Sequence, residues 1–378
     1  MKAIGIMSGT SLDGVDVVLC EINGVDEETQ VKELAFKTFK FERKLKSKLE
    51  EILEEKKADL ASICSINFEL GEFFAECCLK LCQAYGINST ELAFIASHGQ
   101  TIYHISENSD SSIKSTLQLG ESALIAERCG CQVISNFRSR DMAVGGQGAP
   151  LVPYSEYILY KNKQKSYGFQ NIGGIGNITI IPKNAQKEQV FAFDTGPGNM
   201  MINQVTKILY DTEYDNAGRF AAKGKLIKPL QEELMGHPYL KTEPPKSTGR
   251  EMFGDDYTNR LLEKYFSHKK EDLVATFTWF TAYCIYYSYE QFIKEKTIID
   301  ELVVGGGGAH NLTLLTWIKK LLPTINVLTQ EEIGMSSDSK EAVAFVILGN
   351  QTYHRRPSNL PSVTGARKNV ILGQITYP

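Results

Sequence analysis

The sequence predicts an α/β protein made of two related halves. Apolar runs typical of buried strands alternate along its 378 residues with long stretches whose apolar positions recur every three or four residues. This alternation is typical of sheets covered by helices. A strand–turn–strand unit near residue 4 returns near residue 167, which indicates an internal repeat. The length agrees, because it suggests about two to three domains.

The first copy of the repeat is "IGIMSGTSLDGVDVVL", residues 4–19. Two strand-like runs flank a connection rich in glycine, hydroxyl and carboxylate groups. A plain hairpin needs only two turn residues, so this connection is longer than folding requires. Its closely spaced backbone N–H groups and hydroxyls suit an anion. A decorated hairpin without a ligand explains this stretch equally well on its own.

Helices and buried strands follow in the first half. The stretch "KLKSKLEEILEEKKADLASICSINFELGEFFAECCLKLCQAYG", residues 44–86, predicts helices with solvated Lys/Glu faces. "ELAFIASHG" and "CQVISNF" predict buried strands.

Three further glycine-rich connections each follow a strand-like run. They lie in "YGFQNIGGIGNITIIP" (167–182), "VFAFDTGPGNMMINQVTKIL" (190–209) and "IIDELVVGGGGAHNLTLLTWIKKLL" (298–322). Glycine lets a backbone approach a ligand closely, and amides at a helix start favour anions. GxxxxGK[ST] and an opening GxGxxG unit are both missing from the sequence, which argues against a Walker P-loop and a Rossmann dehydrogenase. A nucleotide clamped between duplicated domains suits the pattern better.

Composition and charge argue against a nucleic-acid-binding protein and against a membrane-spanning protein. The net charge of −4 gives no bulk attraction for nucleic acid, and no apolar run approaches the roughly 20 residues of a membrane span. Without a recognisable secretory signal, we expect a cytoplasmic protein. The eight cysteines match no disulfide framework, so we expect reduced thiols. Cys129 and Cys131 form only a weak zinc signal.

Nine segments carry a family resemblance. They are "GIMSGTSLDGVD", "SHGQT", "TLQLGE", "NFRSRDMAVGGQGAPLVP", "QNIGGIGNIT", "DTGPGN", "PPKSTGRE", "GGGGAHN" and "NLPSVTGA", spread from residue 5 to residue 366. In this order they resemble the anhydro-N-acetylmuramic acid kinases of the actin, sugar-kinase and heat-shock ATPase superfamily. The resemblance implies two actin-like (ribonuclease H-like) domains with a nucleotide cleft between them. We expect one domain at 1–140 plus 340–378 and the other at 141–339.

The resemblance also implies an activity. ATP, 1,6-anhydro-N-acetylmuramic acid and water would give N-acetylmuramic acid 6-phosphate and ADP, in the recycling of cell-wall peptidoglycan. One alternative is a kinase for another anhydrosugar such as levoglucosan. A second is a non-enzymatic, ATP-driven binding protein of the actin or chaperone kind. ATP and Mg²⁺ are the expected cofactors and a small sugar is the expected partner, with no nucleic acid and no membrane; a homodimer is left open.

The resemblance assigns nucleotide contacts to the glycine-rich connections. The expected residues are Gly9, Thr10, Ser11, Leu12, Asp13, Gly14, Val15, Asp16, Gly173, Gly174, Gly176, Asn177, Gly196, Gly198, Gly305, Gly306, Gly307, Gly308 and Asn311. The earlier ones would hold phosphates, and Gly305–Asn311 would lie against adenosine. Asp194 is placed for magnesium, through water. A helix N-cap is the competing explanation for Asp194.

The anhydro bridge requires a base that acts on water, because O6 is bonded to C1 and carries no proton. Asp141, in "RDMAVGGQGAP", is the expected catalytic base by family position and by chemistry. A structural ion pair with Arg138 or Arg140 is the alternative.

Polar side chains near the cleft would read the lactyl carboxylate and acetamido group of the sugar. The candidates are His98, Gln100, Gln147, Arg250 and Glu341. For His98, an interior histidine with satisfied hydrogen bonds is equally consistent with the sequence. The segment "GMSSDSKEAVAF" departs from the expected family pattern, since Lys340 separates the acidic residues Asp338 and Glu341.

Overall fold

The computed structural model describes residues 1–9, 12, 14–53, 59–334 and 336–378. Thr10, Ser11 and Asp13, which were expected to hold phosphate, lie outside the described residues. The chain forms two compact units, 1–159 with 338–378 and 160–337. The domain limits at 140 and 340 stay a prediction.

The described strands and helices alternate as an α/β sequence predicts. The strands are β1 (Lys2–Ser8), β2 (Val15–Asn23), β3 (Gln30–Phe39), β4 (Phe94–Ile105), β5 (Ser115–Leu119), β6 (Val133–Ser135), β7 (Tyr167–Ile172), β8 (Ile175–Ile181), β9 (Phe191–Pro197), β10 (Glu301–Gly305), β11 (Asn326–Thr329) and β12 (Gln374–Thr376). The helices are α1 (Arg43–Leu53), α2 (Leu60–Tyr85), α3 (Ser122–Cys129), α4 (Phe137–Ala143), α5 (Val152–Tyr160), α6 (Met200–Tyr210), α7 (Lys228–Met235), α8 (Arg250–Phe253), α9 (Asp255–Tyr265), α10 (Lys270–Ser288), α11 (Leu312–Leu321), α12 (Lys340–Tyr353) and α13 (Pro361–Thr364).

The sheet of the first unit runs β12-β6-β4-β1-β2-β3, with β5 paired to β4. β1 is antiparallel to β2 and parallel to β4, and Ser8 faces Val15 across the first hairpin. Ile4 and Ile6 pack with Phe74 of α2 in a buried core. On the other face α12 lies so close that a Cβ on Gly5 would stand 2.1 Å from the Ala342 carbonyl oxygen. The unit is therefore a sheet with helices on both faces.

The sheet of the second unit runs β11-β10-β7-β8-β9. β7 is antiparallel to β8 and parallel to β10, and β8 is antiparallel to β9. This matches the order β6-β4-β1-β2-β3 of the first unit, strand for strand and direction for direction. The predicted repeat is therefore confirmed, and the shared order is that of the expected ribonuclease H-like fold.

Local signals explain where several elements begin and end. The described part of the predicted helical stretch 44–86 contains α1 and α2, and α2 begins where the Asp59 carboxylate accepts a hydrogen bond from the Ser62 amide at 2.8 Å. It ends at Gly86, whose φ of 75° is left-handed. The predicted strand near residue 91 is β4, which continues to Ile105.

All eight cysteines are free, and all except Cys64 are buried. None of the helices in the described ranges is both long enough and apolar enough to span a bilayer.

Candidate active site

The loop of the first unit that is expected to hold phosphate starts where β1 ends. The buried Gln100 side chain fixes this start, because its Oε1 accepts from the Ser8 hydroxyl at 2.5 Å and its Nε2 donates to the Gly9 carbonyl at 3.1 Å. Past the turn, Asp16 lies on β2 and accepts a hydrogen bond from the Thr38 hydroxyl at 2.6 Å. Gln100 was expected to contact sugar, but both polar atoms of its amide are hydrogen-bonded to the start of the loop.

His98 is also bonded inside the first unit. Its Nδ1 lies 2.8 Å from the Gly99 carbonyl oxygen, and Arg138 Nε donates to its Nε2 at 3.0 Å. Burial lowers the pKa of His98 to about 3, so the ring is neutral and Nδ1 is the donor. A second Arg138 nitrogen donates to the Gly148 carbonyl at 2.8 Å. His98 thus positions Arg138 with both ring nitrogens used.

Asp141 is fully buried at the end of α4. One carboxylate oxygen accepts from the Gly148 amide at 2.9 Å. The other accepts from Asn359 Nδ2 and the Thr364 hydroxyl, both at 2.8 Å. These three donors tie the loop Gly145–Gly148 to the segment 359–364. Of the two arginines expected as alternative ion-pair partners, Arg138 makes other contacts, and the pairing with Arg140 stays a prediction.

The start of α12 carries two charges with different surroundings. Lys340 forms a buried ion pair with Glu156 at 2.6 Å. Glu341 is exposed to solvent. Desolvation nevertheless raises its pKa, and this effect outweighs the opposite effect of the nearby cations Lys340 and Arg138. Glu341 remains available to a ligand, whereas Lys340 is committed to the fold.

In the second unit two glycine turns lie against each other. The amide of Gly198 donates to the Gly174 carbonyl at 2.9 Å, and that of Asn199 donates to the Gly173 carbonyl at 2.7 Å. A Cβ on Gly198 would stand 2.3 Å from the Gly173 carbonyl oxygen, so only glycine fits. The fold therefore brings together the predicted residues of two separate motifs.

Asp194 lies beside these turns on β9, opposite Asn177 of β8. It sits inside the strand and before α6 begins, so it does not cap that helix. The Thr248 amide donates to its Oδ2 at 2.9 Å, and its side chain is only partly buried. Burial raises the pKa of Asp194 to about 6.

Three residues around Asp194 escaped the sequence reasoning. Tyr239 donates its hydroxyl to the Asp194 carbonyl at 2.6 Å, and the Lys246 carbonyl accepts from the Asp194 amide at 3.1 Å. Lys246 and Thr248 belong to "PPKSTGRE", the motif in which Arg250 was selected for sugar. Arg250 itself is exposed at the start of α8. The motif was the available signal, but Arg250 was the residue selected from it, and the contacts of the motif with Asp194 were not considered.

The second unit has a cavity of about 490 Å³ beside the turn where the sequence predicted adenosine contacts. Its lining residues are Asn199, Ile202, Asn203, Tyr214, Asp215, Asn216, Ala217, Gly307, His310 and Asn311. Asn311 also caps α11, because its Oδ1 accepts from the Leu314 amide at 3.0 Å. A Cβ on Gly308 would stand 2.4 Å from Ile172, whereas Gly307 faces the cavity.

Comparison with known proteins identifies the family to which this chain is similar. The family model "Anhydro-N-acetylmuramic acid kinase" matches residues 1–378. The protein of that name from Clostridioides difficile (strain 630) is 52% identical over 376 residues, covering 100% of this chain and 98% of the relative. Its namesake from Francisella tularensis subsp. novicida (strain U112) is 50% identical over 374 residues, covering 99% and 98%. That from Bacillus cereus (strain Q1) is 48% identical over 380 residues, covering 100% of both chains.

Proposed function

This chain belongs to the anhydro-N-acetylmuramic acid kinase family, and we propose how its own residues divide the work of that kinase. The reaction takes ATP, 1,6-anhydro-N-acetylmuramic acid and water to N-acetylmuramic acid 6-phosphate and ADP, and it serves peptidoglycan recycling.

The chemistry sets the demand on the protein. The C1–O6 bond breaks while O6 forms a bond to the γ-phosphorus of ATP, and ADP leaves. Water adds to C1 and must lose one proton. The enzyme therefore needs a carboxylate that water can reach, in addition to groups that neutralise phosphate charge.

Asp194 is our candidate for that carboxylate. Its partial exposure carries the proposal, together with the Thr248 amide that orients one of its oxygens. A pKa of about 6 supports it, since a general base works best when its pKa lies near the operating pH. We expect activity to fall as pH drops through that value, because protonated Asp194 cannot accept a proton.

Asp141, the base expected from the sequence, has a different setting. It is fully buried, and both oxygens already accept hydrogen bonds from protein donors. Because the side chain is fully buried, a water molecule at C1 would not reach either carboxylate oxygen. We therefore propose that Asp141 holds the loop that carries Gln147 and leave proton transfer to Asp194.

Magnesium is proposed as the companion of ATP. Within the described ranges, no group of three or more His, Cys, Asp or Glu side chains is arranged to hold a metal ion. Magnesium bound with a nucleotide needs only one or two carboxylates, because phosphate oxygens and water supply the other ligands. The single carboxylate of Asp194 fits that demand too, so its assignment to magnesium stays a prediction. The ion would neutralise charge on the transferred phosphoryl group.

The remaining assignments follow the same proposal. ATP would place its adenosine in the cavity beside Gly307 and its phosphates at the turns of Gly173 and Gly198. The loop Gly9–Asp16 is proposed to complete the phosphate site, and closure of a nucleotide cleft between the two domains stays a prediction. The proposed sugar contacts are Arg250, Gln147 and Glu341. His98 and Gln100 are left out because their polar side-chain atoms are hydrogen-bonded within the protein.

A valine at position 307 is expected to raise the KM for ATP at least about tenfold while leaving Tm nearly unchanged. The nearest atom to a Cβ there is 3.5 Å away, so the backbone tolerates it, but the side chain enters the cavity. Gly308→Val is the matched control: its Cβ would collide with Ile172, so Tm should fall. Thermal unfolding measures Tm and ATP saturation curves measure KM for both variants. An unchanged KM for ATP in Gly307→Val would contradict the assignment of this cavity to ATP.

One assay tests the substrate. ADP release should depend on added 1,6-anhydro-N-acetylmuramic acid and should be slower on levoglucosan, which lacks the lactyl and acetamido groups. ATP hydrolysis that ignores the sugar would instead indicate the binding-protein alternative, and equal rates on both sugars would indicate a broader anhydrosugar kinase.

A further inference from the structure

We propose that Lys246 is a positioning residue for this reaction, which holds Asp194 in place through the backbone of the segment Lys246–Thr248. The inference rests on the proposed role of Asp194 as base.

Lys246 is unusual because its ammonium group is buried. Its side chain is 8% exposed. Nζ donates to the carbonyl oxygens of Tyr239 at 3.3 Å and Leu240 at 3.5 Å. It also lies 4.5 Å from the ring centres of both Tyr239 and Phe292, and 5.9 Å from that of Phe193. Carbonyl and cation–π contacts offset part of the cost of burying the charge.

Stability alone does not account for a lysine here. An ammonium group is costly to bury when its hydrogen bonds go to carbonyl oxygens and its other close neighbours are aromatic rings. The Asp194 carboxylate attracts it without a hydrogen bond between them, and burial still lowers the pKa of Lys246 to about 8. A methionine of similar length would fill the same aromatic surroundings without that cost. The charge therefore serves something other than packing.

The backbone of the same segment surrounds Asp194. The Lys246 carbonyl accepts from the Asp194 amide at 3.1 Å, and two residues later the Thr248 amide donates to the carboxylate at 2.9 Å. Tyr239, whose carbonyl receives the ammonium, donates its hydroxyl to the Asp194 carbonyl at 2.6 Å. The ammonium thus fastens together the two segments that contact Asp194 from outside β9.

A second observation places a ligand at this segment. The Thr248 hydroxyl oxygen is buried and has no hydrogen-bond partner among the residues that the structure describes. A buried hydroxyl without a partner costs free energy, and a bound water or a substrate hydroxyl beside Asp194 would satisfy it. The segment therefore faces the position where the reacting water is needed.

Lys246→Met tests the inference. Because the misplaced carboxylate still leaves the ATP cavity intact, we expect kcat to fall about 10- to 100-fold while the KM values for ATP and sugar change less than about threefold. Tm should not fall, since a buried charge is removed. Lys296→Met is the matched control: Lys296 lies 5.1 Å from the Phe191 ring centre in the same unit but is exposed, so its kcat should not change.

Two further variants make every outcome decisive. If Lys246→Met does not fold, Lys246→Gln keeps a donor toward the Tyr239 and Leu240 carbonyls but removes the charge, and it should still lower kcat; a normal kcat there would overturn the inference. Asp194→Asn tests the base assignment separately from the positioning by Lys246. If it is inactive while Lys246→Met turns over normally, positioning by Lys246 is wrong and the base assignment stands. If Asp194→Asn is active, the base assignment itself fails.

Discussion

Asp194→Asn is expected to lower kcat at least about 100-fold, because an amide keeps the shape of the carboxylate but cannot take a proton from water. The Kd for ATP should change less than about threefold, since the cavity proposed for adenosine and the glycine turns are untouched. Steady-state ADP release and equilibrium nucleotide binding provide the two measurements. A normal kcat would contradict the assignment.

The same variant distinguishes the base from a magnesium ligand. If Asp194 acts as the base, the Mg²⁺ concentration for half-maximal ATP binding should stay the same in Asp194→Asn. A large increase in that concentration would instead assign Asp194 to magnesium, as the sequence suggested.

Stability gives an internal control for Asp194→Asn. Burial raises the pKa of this carboxyl from an ordinary value near 3.8 to about 6 in the folded protein. The folded state therefore loses stability as pH rises through this interval, because the charged form is disfavoured by burial. An asparagine escapes that loss, so Tm at pH 7.5 should equal or exceed that of the unmodified protein. Lost activity can then not be explained by unfolding.

Asp141→Asn is expected to act in the opposite way, by destabilising the fold about 2–3 kcal/mol. The carboxylate accepts three hydrogen bonds in a fully buried setting. An asparagine would turn an NH₂ group toward one of those donors and leave a buried polar group unsatisfied. Urea and thermal unfolding should show the loss, and kcat per folded molecule should stay within about tenfold of normal.

The exposed Asp110 provides the control, because Asp110→Asn should change neither stability nor kcat. A stable Asp141→Asn protein with a kcat reduced at least about 100-fold would restore Asp141 as the base.

The different settings of these two carboxylates show where sequence reasoning reaches its limit. Apolar periodicity and glycine-rich turns sufficed for the α/β class and the repeated hairpins, because both are local patterns. The partners of Asp141 lie 218 and 223 residues further along the chain, at Asn359 and Thr364. No local pattern encodes that both oxygens are already bonded, so the sequence could not show that Asp141 is buried while Asp194 is partly exposed.

The contacts of Asp194 could not be predicted from the sequence for the same reason. Lys246 and Thr248 approach from more than 50 residues away, and only the folded β9 brings them alongside. The shared strand order of the two sheets also required the structure, since strand pairing is not written in any single segment.

The most direct test of the account follows oxygen during the reaction. Turnover of unlabelled 1,6-anhydro-N-acetylmuramic acid in oxygen-18 water should place the label on C1 of the product and leave the oxygen between C6 and phosphorus unlabelled. Product incubated without ATP under the same conditions corrects for exchange at C1. We expect C1 label above this background, at one atom per phosphorylation; label in the ester oxygen, or phosphorylation without C1 label, would contradict hydrolytic ring opening by this kinase.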